Sequence, residues 1–438
     1  MNTADLLGIT SADLAITRLG ERRVDSPLLE LLGDRKESMH YVTETDRVLL
    51  DDTLGMAKRR GVDAADLPAF NPGGPREKLF FEPADVTAAI VTCGGLCPGL
   101  NNVIRGLVLQ LREAYGVKTV LGYRNGYQGL TDDSVPLALT PEAVHDIHNR
   151  GGTILGTSRG NQDAAVMIDT LVRDGVDMLF VVGGDGSLRG ARKLANEALA
   201  RNLPIAVVGI PKTIDNDIPW IDHSFGFQTA FARAAESIRA AHIEASSTAG
   251  GVGLVKLMGR HSGFIACCAT LACPDVDFTL IPEVPFSLDG FLASLRQRVE
   301  RQGHAVVVVA EGAGQELFPH SADTDPSGNA KLRDIGGLLG DRIIDHFQDA
   351  PITLRYVDPG YAIRSVPADA SDAVYCTRLA QAAVHAGMAG FTSMVVAQWH
   401  GRFVHLPITL ATGSRNEVDP HGDLWMSVLE VTGQPKNF

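Results

Sequence analysis

The chain has 438 residues, 45% of them hydrophobic and 21% charged, with a formal net charge of −13. That length supports two or three domains with sizeable cores. The acidic balance argues against general binding to nucleic acid or to an anionic membrane surface, so any phosphorylated ligand must be met by arginines and lysines gathered locally.

Residues 1–85 read as a charged, weakly helical N-terminal extension that packs on the body of the protein or on a neighbouring subunit. It begins Met1-Asn2-Thr3-Ala4-Asp5, without the basic and apolar regions of a signal peptide. It ends in Asn71-Pro72-Gly73-Gly74-Pro75, a loop signal. From Val86 the pattern becomes strand, Gly-rich turn, helix, repeated. Thr87 to Thr92 reads as a strand, followed by Cys93-Gly94-Gly95-Leu96-Cys97-Pro98-Gly99-Leu100-Asn101 and a helix through Leu111. Thr119 to Tyr123 reads as another strand. The apolar run Met178 to Val182 reads as a buried parallel strand that stops at Gly183-Gly184-Asp185-Gly186-Ser187, with a helix from about Leu188 to Ala200. Further strands are expected at Pro204 to Ile210, Val252 to Met258 and His304 to Ala310. They run into Pro211-Lys212-Thr213-Ile214-Asp215-Asn216-Asp217, Gly259-Arg260 and Glu311-Gly312-Ala313-Gly314. Alternating strands and helices predict an α/β fold with parallel-rich sheets covered on both faces, and ligands beyond the carboxyl ends of the strands. Apolar runs are too short or too broken by charge to span a membrane. The six cysteines show no CxxC pair and no zinc spacing, as expected of reduced thiols in a cytoplasmic protein.

Glycines at a strand end let a phosphate approach backbone N–H groups, and the helix that follows favours its negative charge. Gly183 to Ser187 and Gly94 to Asn101 are two such cradles; the alternative is a tight turn with no ligand. Neither has the GxGxxG or GxxxxGK[ST] spacing, so a dinucleotide fold or P-loop is not supported. Asp185 adds a hard oxygen ligand suited to Mg²⁺. If residues 215–217 stay extended, Asp215 and Asp217 point the same way, which suits a general base beside a metal- or substrate-orienting carboxylate; the alternative is an Asx-type turn. Lys212 supplies a counter-charge. Arg159, Met258-Gly259-Arg260, Glu311 and the run from Arg355 to Arg364 read as loop or strand-end elements. Their arginines can fork onto phosphate oxygens, and Glu311 can accept hydrogen bonds from sugar hydroxyls.

Together these motifs resemble the 6-phosphofructokinase family, from about Val86 to Thr392, and most of all its long-chain ATP-using branch with plant and trypanosomal members. The resemblance implies two Rossmann-like domains with the active site in the cleft between them, and phosphorylation of fructose 6-phosphate by ATP with Mg²⁺. It matches Gly95, Arg159, Gly160, Gly184, Asp185, Gly186 and Ser187 to ATP-holding positions, with Asp185 at the metal. Asp215 matches the catalytic base, with Thr213 and Ile214 beside it. Met258, Gly259, Arg260, Glu311, Arg355, Tyr361, Ala362, Ile363 and Arg364 match positions that grip the sugar phosphate. It implies a homodimer or homotetramer. The expected domains are an ATP-binding domain at 86–226 with about 363–405, and a sugar-phosphate domain at 227–362 with about 406–438.

The donor signature is mixed. Pyrophosphate-using relatives have lysine where Lys212 stands, but aspartate where Gly186 stands. A carboxylate at 186 would repel a nucleotide α-phosphate, and glycine leaves room, so ATP is the expected donor. An arginine that short bacterial enzymes place seven residues before Met-Gly-Arg is here Gly251, and of their two effector-site arginines Arg105 is present while Leu109 replaces the other. The readings weighed against this one are a pyrophosphate-dependent or sedoheptulose-7-phosphate-preferring enzyme, and a sugar-phosphate-sensing regulatory subunit.

Overall fold

The computed structural model describes residues 8–28, 41–63, 66–132, 134–319, 323–324 and 331–438. Along the chain, the elements that frame the sites are β1 (Val48–Leu49), β2 (Ala69–Pro72), β3 (Thr87–Thr92), α1 (Leu100–Leu109), β4 (Thr119–Gly122), β5 (Leu137–Ala138), β6 (Met178–Gly183), α2 (Asp185–Ala200) and β7 (Ala206–Pro211). They continue with α3 (Phe227–Ser246), β8 (Gly251–Leu257), α4 (Phe264–Leu271), β9 (Phe278–Leu280), β10 (His304–Ala310), β11 (Thr353–Val357), α5 (Gly360–Arg364), α6 (Ala370–Met388), β12 (Met394–Trp399) and β13 (Arg402–Pro407). The chain divides into two units. The first is Met1–Thr213, Ile218–Phe225 and Pro367–Arg415; the second is Ile214–Asp217, Gly226–Val366 and Asn416–Phe438.

The first unit is built on a nine-stranded sheet in the order β1-β2-β13-β12-β7-β6-β3-β4-β5. Strands β4, β3, β6, β7 and β12 are parallel. The unbroken apolar runs of β6 and β7 are buried at every residue, as parallel strands covered on both faces require. On one face α1 and α6 meet closely: a Cβ on Gly106 would lie 2.8 Å from that of Ala380, so only glycine fits. The N-terminal stretch joins this unit. β2 pairs antiparallel with β13, setting Asn71 against His405, and Thr17–Arg18 pairs with Phe391–Thr392. Phe70, fully buried, packs its ring edge-on to Trp399. The loop expected at Asn71-Pro72 therefore begins only at Gly73, because both residues complete β2.

The second unit carries a four-stranded parallel sheet, β9-β10-β8-β11. Its core gathers Leu254, Phe278, Phe291, Val307 and Leu339. Helix α2 begins at Asp185 rather than near Leu188, so the Gly-Asp-Gly-Ser turn is itself the helix's first turn.

Candidate active site

In the first unit the register of β3, β6 and β7 pairs Thr92 with Val182 and Gly183 with Pro211, so three strands end level. Gly94 (φ +85°), the Gly184–Ser187 turn and Lys212 thereby lie side by side at one carboxyl edge. A Cβ on Gly183 would collide with the Ser187 side chain, which makes glycine necessary there. A Cβ on Gly186 would meet nothing within 4 Å. The loop holding Arg159 and Gly160 is tied to the first cradle. Gly94 N–H donates to the Ser158 carbonyl at 3.1 Å, Thr157 Oγ1 donates to the Gly94 carbonyl at 2.6 Å, and a Cβ on Gly95 would lie 3.7 Å from an Arg159 nitrogen. Gly160 takes φ +106° with open space around it. Lys212 is buried, its Nζ donating to the Gly95 carbonyl at 2.8 Å. Burial pushes the neighbouring Cys93 thiol up to about 12.

Residues 213–217 do not continue as a strand. Ile214 and Asp215 form a turn and Asn216 takes φ +56°, a left-handed conformation that asparagine tolerates. The period-two argument for aligning Asp215 with Asp217 therefore does not apply. Within the second unit this turn is held from behind. Asn416 N–H donates to the Asp217 carbonyl at 2.8 Å, and its side-chain amide donates to the Asn216 carbonyl at 3.2 Å.

Also in the second unit, Leu257 pairs with Ala310, so Met258 and Glu311 leave adjacent strands at one level. Glu311 Oε1 accepts the Arg260 backbone N–H at 3.2 Å. Gly259 takes φ +138° and Arg260 φ +48°, and a Cβ on Gly312 would collide with the Arg260 carbonyl. Helix α5 joins this group: a Cβ on Gly360 would sit 3.5 Å from Met258 Cγ. The Arg364 guanidinium lies 4.8 Å from the centre of the Tyr361 ring, and its buried Nε has no hydrogen-bond partner among the described residues. Tyr361 and Ala362 are exposed, and Ile363 is core. Arg355 stands apart. It lies inside β11, level with Gly253 rather than at the carboxyl edge, and its guanidinium is 3.5 Å from Glu244 of α3.

Three positioning residues escape a motif-based reading. Arg189 holds Asp185 Oδ1 at 2.6 Å, a pair whose only signal is its i,i+4 spacing. Thr157 braces Gly94. Glu283 Oε1 accepts the N–H groups of Gly263, at the start of α4, and of Val418, both at 2.8 Å. Burial raises this carboxyl's pKa against those two donors.

The family model described as phosphofructokinase matches residues 87–387. The chain is 57% identical to the ATP-dependent 6-phosphofructokinase of Amycolatopsis methanolica, covering 97% of this chain and 96% of that one. It is 49% identical to ATP-dependent 6-phosphofructokinase 1 of Arabidopsis thaliana, covering 94% and 87%. Among solved structures it resembles a phosphofructokinase from Saccharomyces cerevisiae (TM-score 0.62, 25% identity, 79% of this chain and 48% of that one). It also shares its fold with a pyrophosphate-dependent phosphofructokinase from Marinobacter aquaeolei (TM-score 0.67, 22% identity, 79% and 91%). With these likenesses and that match over most of its length, the chain belongs to the phosphofructokinase family.

Proposed function

We propose that this chain transfers the γ-phosphoryl group of ATP to the C1 hydroxyl of D-fructose 6-phosphate, giving fructose 1,6-bisphosphate and ADP. What carries the reading is the level carboxyl edge of β3, β6 and β7, which sets two glycine cradles and Lys212 side by side. The chain that bears it is 57% identical to a relative named an ATP-dependent 6-phosphofructokinase.

In this reading the backbone N–H groups of Gly184 to Ser187, at the start of α2, and those of Gly95 and Gly160 receive the triphosphate, with Arg159 as a bidentate clamp. Among the described residues there is no group of three metal-ligating side chains. One carboxylate, Asp185, nevertheless fits Mg²⁺, which keeps several waters and takes other ligands from substrate phosphates. When bound, Mg²⁺ supplies charge neutralisation at the phosphate oxygens. Asp215 accepts the proton of the C1 hydroxyl as that oxygen attacks the γ-phosphorus; the bond to the β–γ bridging oxygen breaks and ADP departs. Thr213 and Ile214 set the base's loop. Arg260 and Arg364 hold the 6-phosphate, Glu311 accepts from sugar hydroxyls, and Met258, Gly259, Tyr361, Ala362 and Ile363 shape that subsite. Arg355 is assigned to the sugar phosphate by resemblance alone. We further propose a homodimer or homotetramer, which sedimentation would resolve. We further propose a cytoplasmic location, which fractionation would test; the six cysteines form no disulfide, and no described helix is long and apolar enough to cross a membrane.

A donor and acceptor panel tests the reading: ATP against pyrophosphate, and fructose 6-phosphate against sedoheptulose 7-phosphate. Turnover is expected with ATP and fructose 6-phosphate. Turnover with pyrophosphate but not ATP would overturn the donor assignment.

A further inference from the structure

In a chain of net charge −13, arginines crowd one place outside the transfer site. The guanidinium carbons of Arg18, Arg22 and Arg76 lie 5.3, 5.3 and 5.5 Å from the centre of the Phe391 ring. One carboxylate is shared between two of them: Glu44 is 2.9 Å from Arg18 and 2.7 Å from Arg22. Arg76, 4% exposed, donates to the carbonyls of Val42, Thr43 and Pro72, and its buried Nε has no hydrogen-bond partner among the described residues. Behind the same ring His405 is fully buried, 4.6 Å from Phe391 between centroids, and neither ring nitrogen has a partner there. Burial, and then Arg22 and Arg18, push the Arg76 guanidinium down to about 10. Two carboxylates, Glu44 and Asp46, act on Arg76 in the opposite sense, so three guanidiniums against two carboxylates leave the cluster net positive and favourable to a further anion.

Beside the cluster is a cavity of about 720 Å³, within the range of small-molecule sites. Leu14 and Leu67 give it an apolar floor, Arg18 and Arg47 bring positive charge, and Asp66 and Asn71 offer groups for hydroxyls. Arg18 belongs to both the cavity and the cluster. Glu44, whose side chain is 55% exposed, occupies the position of an external anion and can swing away.

We infer that this N-terminal cavity is a second ligand site, for a small phosphomonoester whose phosphoryl group displaces Glu44 from Arg18 and Arg22 while its hydroxylated body lies against Leu14 and Leu67. A bidentate guanidinium pair matches a phosphate better than one carboxylate does. Ribose 5-phosphate and AMP represent the two body sizes that fit.

Calorimetric titration of the whole protein with ribose 5-phosphate, AMP and inorganic phosphate tests this. At least one of the two esters should bind more tightly than inorganic phosphate. Arg18→Gln and Leu67→Trp should each weaken that binding at least tenfold, and Glu44→Gln should tighten it several-fold by removing the internal competitor. Steady-state kcat and KM for ATP and fructose 6-phosphate should be unchanged in Arg18→Gln, which separates this site from the transfer site. Arg18 has a side chain 42% exposed, so its replacement leaves the core intact if Leu67→Trp proves unstable. Absence of ester binding, or ester binding unchanged in both Arg18→Gln and Leu67→Trp, would overturn the inference.

Discussion

Asp215 and Gly186 are the two residues on which the proposed chemistry turns, and they fail differently. Asp215→Asn keeps shape and removes the proton acceptor. A general base contributes about 10² to 10⁴ in rate, so kcat should fall by that order while fructose 6-phosphate binding stays within about threefold. A Cβ added at Gly186 meets open space, so Gly186→Asp should not disturb packing. Its melting temperature should stay near wild type, while kcat/KM for ATP falls about 100-fold, from roughly 3 kcal/mol of repulsion between carboxylate and phosphate. Sugar-phosphate binding should be unaffected. Gly259 is the opposite case. At φ +138° an added Cβ presses on the Ser262 carbonyl, so Gly259→Ala should cost about 1–3 kcal/mol of stability and raise KM for fructose 6-phosphate. A differential scan and a substrate titration check both effects.

Among the elements, several long and mostly buried strands announced themselves. The runs at Thr87–Thr92 and His304–Ala310 appear with the expected bounds, because an unbroken apolar stretch between glycine turns has few other ways to be covered. The partly exposed strand β11 was silent. In β11, Arg355 and Tyr356 are exposed, so nothing in the residue pattern marks a strand and Arg355 reads as a loop residue. The pairing of β2 with β13 depends on a partner more than 300 residues away, which no local pattern reports. Within the site, the cradles were legible because glycine has a steric reason to be there. Arg189 and Glu283 were not, since each acts through hydrogen-bond contacts that residue type alone does not announce. The N-terminal pairing also makes a prediction. A chain beginning at residue 86 would leave the β13 edge bare and Phe391 and Trp399 without their N-terminal partners. It should be recovered mainly as aggregate, measured as soluble yield against the full chain.

At the scale of the whole molecule, two buried histidines set a pH limit. Burial, with a smaller push from Arg76, lowers His385 to about 4; burial and the arginines hold His405 well below its ordinary value. Unfolded imidazoles titrate near 6.5. Between about 4 and 6.5 the unfolded chain therefore binds more protons than the folded one, and stability falls as pH drops through that window. His385 alone contributes roughly 3 kcal/mol to the loss. Urea midpoints at pH 7 and pH 4.5 should show it, and His385→Gln should flatten the slope. An undiminished slope in that variant would assign the acid sensitivity elsewhere.

The thiol at the head of the first cradle has a consequence for how the protein ages. Cys93 is 4% exposed and its proton is held to about 12, while Cys267 and Cys376 are held well above their ordinary value. Alkylating agents and peroxides attack thiolates. A sulfur therefore stands beside the proposed phosphate cradle without offering a handle to either, and treatment with iodoacetamide at pH 8 should leave activity intact and Cys93 unmodified by mass. Oxidation of this protein's thiols would have to begin at a cysteine other than Cys93.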